Sequence, residues 1–371
     1  MIENQPYLQK QTIKSRNPNI DFIRISGMFS IVFYHLIYHG KAKLKFRNYN
    51  GIQLLNIFCM WNVSCFGMIS GLVASKAHKF SNLFYLWIIA VFYSLIFFMK
   101  YNNLKTIVNF EILRSYIFPI IYRKYWYLTA YFGIYPFLPF INSSISIISR
   151  IQFKKSIYFM LAIFIIWSSY YQDSFAQQNG KSPFSLLIFY VFGAYIRKYI
   201  FYKVQNTIYK ILICFICLSI FLMVTFSCYK FNISKSFYKL DSNIKNIFRI
   251  EINSLPMIFQ TFAITISIAQ IQFGKFISRM ITFIGPLSFD IYLIHDNPLI
   301  RRRYVINSFN NYSYDMNLMS IFLIIVIKSI IIFTICIIIA FIRNKIFIKL
   351  KIKNMCDNIE IIITKLINNF I

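Results

Sequence analysis

Four side chains that can transfer protons or form ion pairs lie in one apolar stretch of the sequence. Residues 20–39, IDFIRISGMFSIVFYHLIYH, are apolar enough to cross a membrane, yet they contain Asp21, Arg24, His35 and His39. A charged group in hydrocarbon costs at least about 2.5 kcal/mol unless it faces protein or water. One such residue could be incidental, but four in a single span indicate a site.

The spacing of these residues places them on one side of a helix. Arg24 and His35 are eleven residues apart, which is roughly 16 Å and about three turns of α-helix, so their directions differ by only roughly 20°. Asp21 precedes Arg24 by about one turn, and His39 follows His35 by about one turn. The sequence therefore predicts a polar stripe that leads from one membrane surface into the protein.

The rest of the chain is built from segments of similar length and polarity. Of the 371 residues, 58% are hydrophobic and 20% aromatic, and the mean hydropathy is +0.58, which argues against a soluble protein. Apolar segments of about 20 residues, enough to cross a bilayer, recur throughout. We expect an all-α, polytopic integral membrane bundle with about ten transmembrane helices, near residues 20–39, 55–74, 82–99, 125–142, 157–171, 184–200, 208–228, 255–273, 281–299 and 318–342.

The two ends of the chain differ from this membrane domain. Residues 1–17 form a polar N-terminal segment, residues 18–342 the membrane domain, and residues 343–371 a basic tail whose alternating apolar positions predict an amphipathic helix at the membrane surface. Lys and Arg divide almost evenly between the two sets of alternate loops, so the positive-inside rule orients the protein only weakly. The basic tail favours a cytoplasmic location for both termini.

The excess of positive charge indicates membrane lipids rather than nucleic acid as a partner. The chain carries 40 Lys and Arg against 11 Asp and Glu, a net charge of +29. These cations are scattered through nearly every loop and form no continuous basic face, so nucleic acid is not a predicted partner. Anionic headgroups and an anionic substrate would be attracted to them, although solvation in a loop explains most individual lysines.

The histidines and cysteines predict neither a metal site nor a disulfide framework. His35 and His39 have the i, i+4 spacing of two metal ligands, but no HExxH-type glutamate and no third ligand is evident. Most of the seven cysteines lie in apolar spans, where core packing is their expected role. No tightly bound cofactor is expected.

A second polar cluster lies in the predicted ninth span. The segment ITFIGPLSFDIYLIHDNPLIRRR contains Asp290, Tyr292, His295 and Asp296. Tyr292 and His295 share a helical face, and a lone histidine near a helix end is as consistent with a structural role as with a catalytic one. Asp290 lies well off that face, and Lys328 in the tenth span is a candidate partner for it.

Two other spans contain residues that could meet a substrate. Ser70, followed by glycine late in the second span, permits either close helix packing or a polar contact. Tyr125 and Trp126 begin the fourth span, where aromatic residues commonly anchor a helix at the membrane interface. Pro136 and Pro139 predict a kink in this span.

Taken together, these segments resemble the acyltransferase-3 family of membrane proteins. Arg24, ten intervening residues and His35 match the Arg-x10-His signature of the family's first helix. CFGMISG is similar to the end of the family's second helix, and YWYLTAYFGIYPFLPFIN and SPFSLLIFYVFGAYIRKY are similar to its fourth and sixth helices. FIGPLSFDIYLIHDNPLIR is similar to the family's Tyr-Leu-x-His segment. The resemblance covers nearly all of residues 18–342 through five ordered motifs, which is more specific than any one of them.

One position departs from the family pattern. Many members carry paired arginines just after the second helix, where this chain has Lys76, His78 and Lys79. Lysine supplies charge without the bidentate fork of arginine. Lys76 and Lys79 are therefore candidates for binding the donor, but with a less specific grip on phosphate than the arginines would give.

The resemblance implies a bacterial cytoplasmic-membrane O-acyltransferase, an enzyme that transfers groups other than aminoacyl groups. Its co-substrate would be cytoplasmic acyl-coenzyme A, usually acetyl-coenzyme A, and its acceptor a hydroxyl of a cell-surface polysaccharide or of the lipid-linked precursor. Lipopolysaccharide, capsule and other exopolysaccharides all stay open as acceptors. The alternative is a polysaccharide exporter or flippase without acyl transfer, because a fold does not fix function.

The resemblance also implies roles for the polar residues. His35 is expected to take the proton of the acceptor hydroxyl, and His295 to orient substrate or assist that transfer. Arg24 is expected to bind the anionic donor or balance developing charge, oriented by an ion pair with Asp21. In the structural alternative, Arg24 and Asp21 only stabilise the fold and His35 hydrogen-bonds a neighbouring helix. Further substrate-site candidates are His39, Ser70, Tyr125, Trp126 and Tyr292.

Overall fold

The protein is a bundle of helices. The computed structural model describes residues 16–42, 46–47, 49–74, 79–103, 106, 109–171, 174–200, 206–233 and 248–370, and within them the chain forms helices and no strand. The principal helices are α1 (Pro18–His39), α2 (Tyr49–Phe58), α3 (Asn62–Leu72), α4 (Phe80–Tyr101), α5 (Phe110–Ile117), α6 (Trp126–Ile134), α7 (Leu138–Ile147), α8 (Arg150–Met160), α9 (Pro183–Tyr199), α10 (Thr207–Ile233), α11 (Leu255–Gln270), α12 (Lys275–Ile284), α13 (Ser288–His295), α14 (Leu318–Lys349) and α15 (Ile352–Phe370).

Within the part of the chain that the structure describes, seven helical segments are long and apolar enough to cross a membrane. They are Pro18–His39, Tyr49–Leu72, Phe80–Tyr101, Arg150–Tyr170, Thr207–Ile233, Lys275–His295 and Leu318–Lys349. Three further segments, namely α6 with α7, α9 and α11, lie where the fourth, sixth and eighth spans were predicted. The prediction of an all-α polytopic membrane bundle is confirmed within the described residues.

The fourth predicted span is broken at its prolines. A tight turn at Tyr135–Phe137 separates α6 from α7, and it contains Pro136, with Pro139 in the first turn of α7. Proline has no N–H for the helical hydrogen bond, and its ring clashes with the preceding turn. The predicted kink is therefore present as two helices joined by a single turn.

Helices α3 and α9 pack with their backbones in contact. A Cβ atom placed on Gly71 would overlap the carbonyl oxygen of Tyr190, and one on Gly193 would overlap that of Met68. Small residues permit this closeness between membrane helices, where dispersion contacts drive association in place of the hydrophobic effect. Close helix packing, one of the two roles predicted for the Ser70-Gly71 pair, is therefore observed at Gly71.

A buried ion pair holds α13 against α14 and α4. Nε of Arg343 lies 2.8 Å from Oδ1 of Asp290, and the Tyr93 hydroxyl donates to the same oxygen at 2.8 Å. The prediction that Lys328 pairs with Asp290 is wrong, because its Nζ donates to the carbonyl oxygen of Ser308 at 2.8 Å. Lys328 and Arg343 are fifteen residues apart on α14, roughly 22 Å along its axis, so only Arg343 reaches the depth of Asp290.

The C-terminal region contains a separate helix docked on α4. Helix α14 continues past residue 342 to Lys349, and α15 follows it. Glu360 of α15 accepts hydrogen bonds from the backbone N–H groups of Phe80 at 2.9 Å and Ser81 at 3.2 Å, donors that the first turn of α4 cannot satisfy itself. The helix is amphipathic, since its opposite side exposes the apolar side chains of Met355, Ile359, Ile362 and Leu366.

Candidate active site

A cavity of about 690 Å³ lies beside α1, a size typical of sites for small ligands. The residues of this helix that line it are Arg24, Met28, Ile31, Tyr34, His35, Tyr38 and His39. Arg24 and His39 are fifteen positions apart, roughly 22 Å along the helix axis. The structure thus places Arg24 and His35 on the wall of a single cavity.

The end of this cavity near the start of α1 is cationic. Arg24 Nη1 lies 2.5 Å from Oδ1 of Asp21, so the ion pair expected from the sequence is present. Arg16 makes two more bonds to the same carboxylate, Nε to Oδ2 and Nη2 to Oδ1, each 2.8 Å long. Asp21 is buried and does not line the cavity, so its influence on a ligand passes through the two guanidinium groups.

The opposite end of the cavity brings His35 close to a carboxylate. Nδ1 of His35 lies 3.7 Å from Oδ1 of Asp296, and Arg301 donates to that oxygen from Nη1 at 2.8 Å. Among the described residues, Nδ1 has no hydrogen-bond partner, and it is buried, whereas the side chain as a whole keeps 15% exposure. The part of the imidazole that is exposed therefore consists of ring atoms other than Nδ1.

His295 lies behind His35 and not on the cavity wall. It is fully buried, and its ring centroid is 5.2 Å from that of His35. Its Nδ1 is 2.6 Å from the carbonyl oxygen of Ile291, so a neutral ring carries its proton on Nδ1. Tyr125 is also fully buried and donates to the carbonyl oxygen of Leu293 at 3.1 Å. Both residues can position α13 and His35, but neither reaches the cavity.

The other predicted substrate-site residues divide into two groups. Trp126 and Tyr292 line the cavity together with His39. Ser70 does not line it, because its hydroxyl donates to the backbone carbonyl oxygen of Phe66 at 3.0 Å within the same helix. The aromatic rings therefore belong to the cavity wall, and Ser70 belongs to the helix packing.

The structure does not bring Lys79, one of the two predicted donor-binding lysines, to Arg24. Lys79 is exposed and lies beside Asp357 and Glu360 of α15, in a shallow depression separate from the cavity. Lys76 lies outside the described residues. Among the cavity-lining residues at the Arg24 end, the second cation is Arg16 instead.

Five charged residues that line the cavity were not among the predicted site residues: Arg16, Lys181, Glu251, Asp296 and Arg301. A local signal was available for the last two, because Asn297 followed by proline predicts a turn after α13. That turn carries Arg301 back to Asp296, five residues earlier. No comparable signal marks Lys181, which lies in a polar loop far from α1 in sequence.

The cluster at the His35 end also has the composition of a metal site. Ligand atoms of His35, His39 and Asp296 lie within 4.8 Å of one another, which a divalent ion could bridge. However, Arg301 already forms an ion pair with Asp296 at 2.8 Å, and its charge would repel a second cation at that carboxylate. The arrangement is therefore better suited to proton transfer than to metal binding.

Comparison with known proteins identifies one family. The model of the acyltransferase-3 family, described as an acyltransferase domain, matches residues 17–341. The match includes α1 to α13 and most of α14, and so covers nearly every residue that lines the cavity. No curated protein and no solved structure matches the chain.

Proposed function

The chain belongs to the acyltransferase-3 family, and from that premise we propose that it is an O-acyltransferase of cell-surface glycans. It moves an acyl group, most often acetyl, from cytoplasmic acetyl-coenzyme A to a hydroxyl of a polysaccharide or of its lipid-linked precursor. The observation that carries this proposal is the single cavity with Arg24 near one end and His35 near the other. Such a cavity lets donor and acceptor meet away from bulk water.

The donor binds at the Arg24 end of the cavity. Arg24 lies in the second turn of α1, close to the membrane surface that we assign to the cytoplasm. Its side chain is 23% exposed, which leaves guanidinium N–H groups for an anionic ligand in a partly desolvated site. Charge-assisted hydrogen bonds of this kind are roughly twice as strong as neutral ones.

His35 activates the acceptor at the other end. A sugar hydroxyl is a poor nucleophile at neutral pH, so a base must take its proton during attack. Nε2 of His35 takes that proton while the hydroxyl oxygen bonds to the thioester carbonyl carbon. The tetrahedral intermediate then collapses, the carbon–sulfur bond breaks, and the coenzyme A thiolate recovers the proton from the imidazolium. The products are an ester and free coenzyme A, and His35 returns to its neutral form.

Asp296 is the positioning residue for this base. Its carboxylate oxygen lies 3.7 Å from Nδ1 of His35, slightly longer than a hydrogen bond, and catalytic hydrogen bonds often tighten only when substrate binds. A bond from Nδ1–H to this carboxylate would fix the tautomer that leaves Nε2 free. It would also stabilise the imidazolium that forms during attack.

Replacing Asp296 with asparagine is expected to lower kcat by about 10²-fold or more, because an amide cannot stabilise the imidazolium. The KM for acetyl-coenzyme A should change little, since Asp296 lies at the opposite end of the cavity from Arg24. Steady-state kinetics of purified protein measure both quantities. Asp315→Asn, which alters a carboxylate that is 72% exposed, is the matched control. A rise in KM with unchanged kcat would contradict the positioning role.

Donor binding separates this enzyme from a polysaccharide exporter, which needs no acyl donor. Purified protein in detergent should bind acetyl-coenzyme A saturably, and Arg24→Ala should weaken that binding at least about tenfold, as expected for loss of a charge-assisted hydrogen bond. Arg279→Ala, at an exposed arginine of α12 that does not line the cavity, should bind like the unmodified protein. Absence of saturable binding by the unmodified protein would contradict the proposed function.

A further inference from the structure

Arg16 is a cavity-lining residue that the family relationship does not account for. The family match begins at residue 17, yet the side chain of Arg16 lines the cavity beside Arg24. Two parallel bonds of 2.8 Å hold its guanidinium on the Asp21 carboxylate. This bidentate contact fixes the plane of the guanidinium as well as its position.

The charges at this end do not balance. Arg16 and Arg24 share the single carboxylate of Asp21, so two positive charges face one negative charge. Two acidic residues line the cavity: Asp296 lies 3.7 Å from His35, and Glu251 forms an ion pair with Arg249 at 3.3 Å. One positive charge is therefore left at the Arg24 end, where a partly desolvated cavity strengthens its attraction for an anion.

The Asp21 carboxylate packs directly against the backbone at Gly285. A Cβ atom on Gly285 would lie 2.5 Å from Cβ, 2.6 Å from Cγ and 2.8 Å from Oδ1 of Asp21. These distances are too short for any side chain, so glycine at this position makes room for the carboxylate that aligns both arginines. Gly285 lies at the break between α12 and α13, which brings the ninth span directly against the first turn of α1.

We propose that Arg16 and Arg24, aligned by Asp21, form a two-arginine site for the diphosphate of the coenzyme A donor. Arg16 gives two of its five N–H donors to Asp21, so three remain for a ligand, and Arg24 retains most of its own. The inference rests on the proposed function. Coenzyme A carries its thioester at the end of a long pantetheine arm, so a diphosphate held here leaves the acyl group free to extend toward His35, roughly 16 Å along the helix.

The diphosphate of a lipid-linked acceptor could bind the two arginines in the same way as that of coenzyme A. The test must therefore distinguish a donor diphosphate from an acceptor diphosphate. The variants are Arg16→Gln, which removes the charge, and Arg16→Lys, which keeps the charge without the fork. Arg16 precedes α1 and its side chain is 47% exposed, so both variants should fold. Each is purified in an uncharged sugar detergent and titrated with coenzyme A, and its kinetics are measured with acetyl-coenzyme A and with S-acetylpantetheine, which has no phosphate.

Arg16→Gln should bind coenzyme A about 10- to 100-fold more weakly, the range expected for a lost charge-assisted hydrogen bond. Arg16→Lys should recover part of that loss. Turnover of S-acetylpantetheine should be the same in both variants and in the unmodified protein, because that donor has no phosphate for Arg16 to bind. Arg279→Gln is the matched control, and its affinity for coenzyme A should not change.

Two results would overturn the two-arginine site while leaving the proposed function standing. The first is unchanged affinity of Arg16→Gln for coenzyme A in a protein that still transfers acetyl groups. The second is a raised KM for the lipid-linked acceptor with unchanged affinity for coenzyme A, which would assign the phosphate to the acceptor. Absence of coenzyme A binding in the unmodified protein would instead contradict the proposed function itself.

Discussion

Alanine at His35 is expected to abolish acyl transfer. A positioned general base contributes about 10²- to 10⁴-fold to a rate, and His295 cannot replace His35, because it is buried behind His35 and does not line the cavity. We expect the acetyl ester content of the surface glycan to fall to that of cells that lack the gene. Mass spectrometry of glycans from cells that carry each variant measures this content.

The control for this variant is Ser26→Ala on the same helix. The Ser26 hydroxyl donates to the carbonyl oxygen of Phe22 at 2.8 Å, and the residue does not line the cavity, so acetylation should stay at the normal level. Both variants should reach the membrane in equal amounts, as an immunoblot of the membrane fraction measures. Full acetylation by His35→Ala would show that the base has been wrongly assigned.

Alanine at Gly193 is expected to disrupt the bundle itself. The added methyl group would overlap the backbone carbonyl of Met68, and a carbonyl in a helix cannot turn aside as a flexible side chain can. Overpacking typically costs 1–3 kcal/mol, and because the contact here is with backbone we expect about 3 kcal/mol for this variant. Gly71→Ala should behave similarly, since its methyl group would overlap the carbonyl oxygen of Tyr190.

Thermal unfolding in detergent measures this effect, with Gly274→Ala as the matched control. Among the described residues, no heavy atom beyond Gly274 and its chain neighbours lies within 4 Å of the position that a Cβ on Gly274 would occupy, so this variant should unfold close to the temperature of the unmodified protein. Gly193→Ala should unfold at a clearly lower temperature or fail to accumulate in the membrane. Equal unfolding temperatures for the Gly193 and Gly274 variants would contradict the close packing of α3 against α9.

Most of the fold could be predicted from the sequence, because the bilayer imposes a strong and local rule. Each span must present about 20 apolar residues, so hydropathy alone locates helices such as Pro18–His39 and Leu318–Lys349. Spacing along one helix was equally reliable: residues 24 and 35 lie on one cavity wall because helical geometry depends only on the number of intervening residues. The kink at Pro136 followed from the missing N–H of proline.

Contacts between helices could not be predicted in this way. Two cations of α14, Lys328 and Arg343, were possible partners for Asp290. Arg343 pairs with it because Arg343 lies at the same depth in the bundle and Lys328 does not. His295 has the residue type of a catalyst, but its position behind His35 depends on how α13 packs against α1. These choices depend on the arrangement of several helices, which no single segment of sequence contains.

We propose that acetyl-coenzyme A bound at the Arg24 end of the cavity acylates an acceptor that His35 activates. The most direct test of this proposal uses inside-out membrane vesicles from cells that make the glycan, with radiolabelled acetyl-coenzyme A added to the exposed cytoplasmic face. We expect label to enter the glycan fraction with the unmodified protein and not with His35→Ala. Equal labelling with both proteins, or none with the unmodified protein, would contradict it.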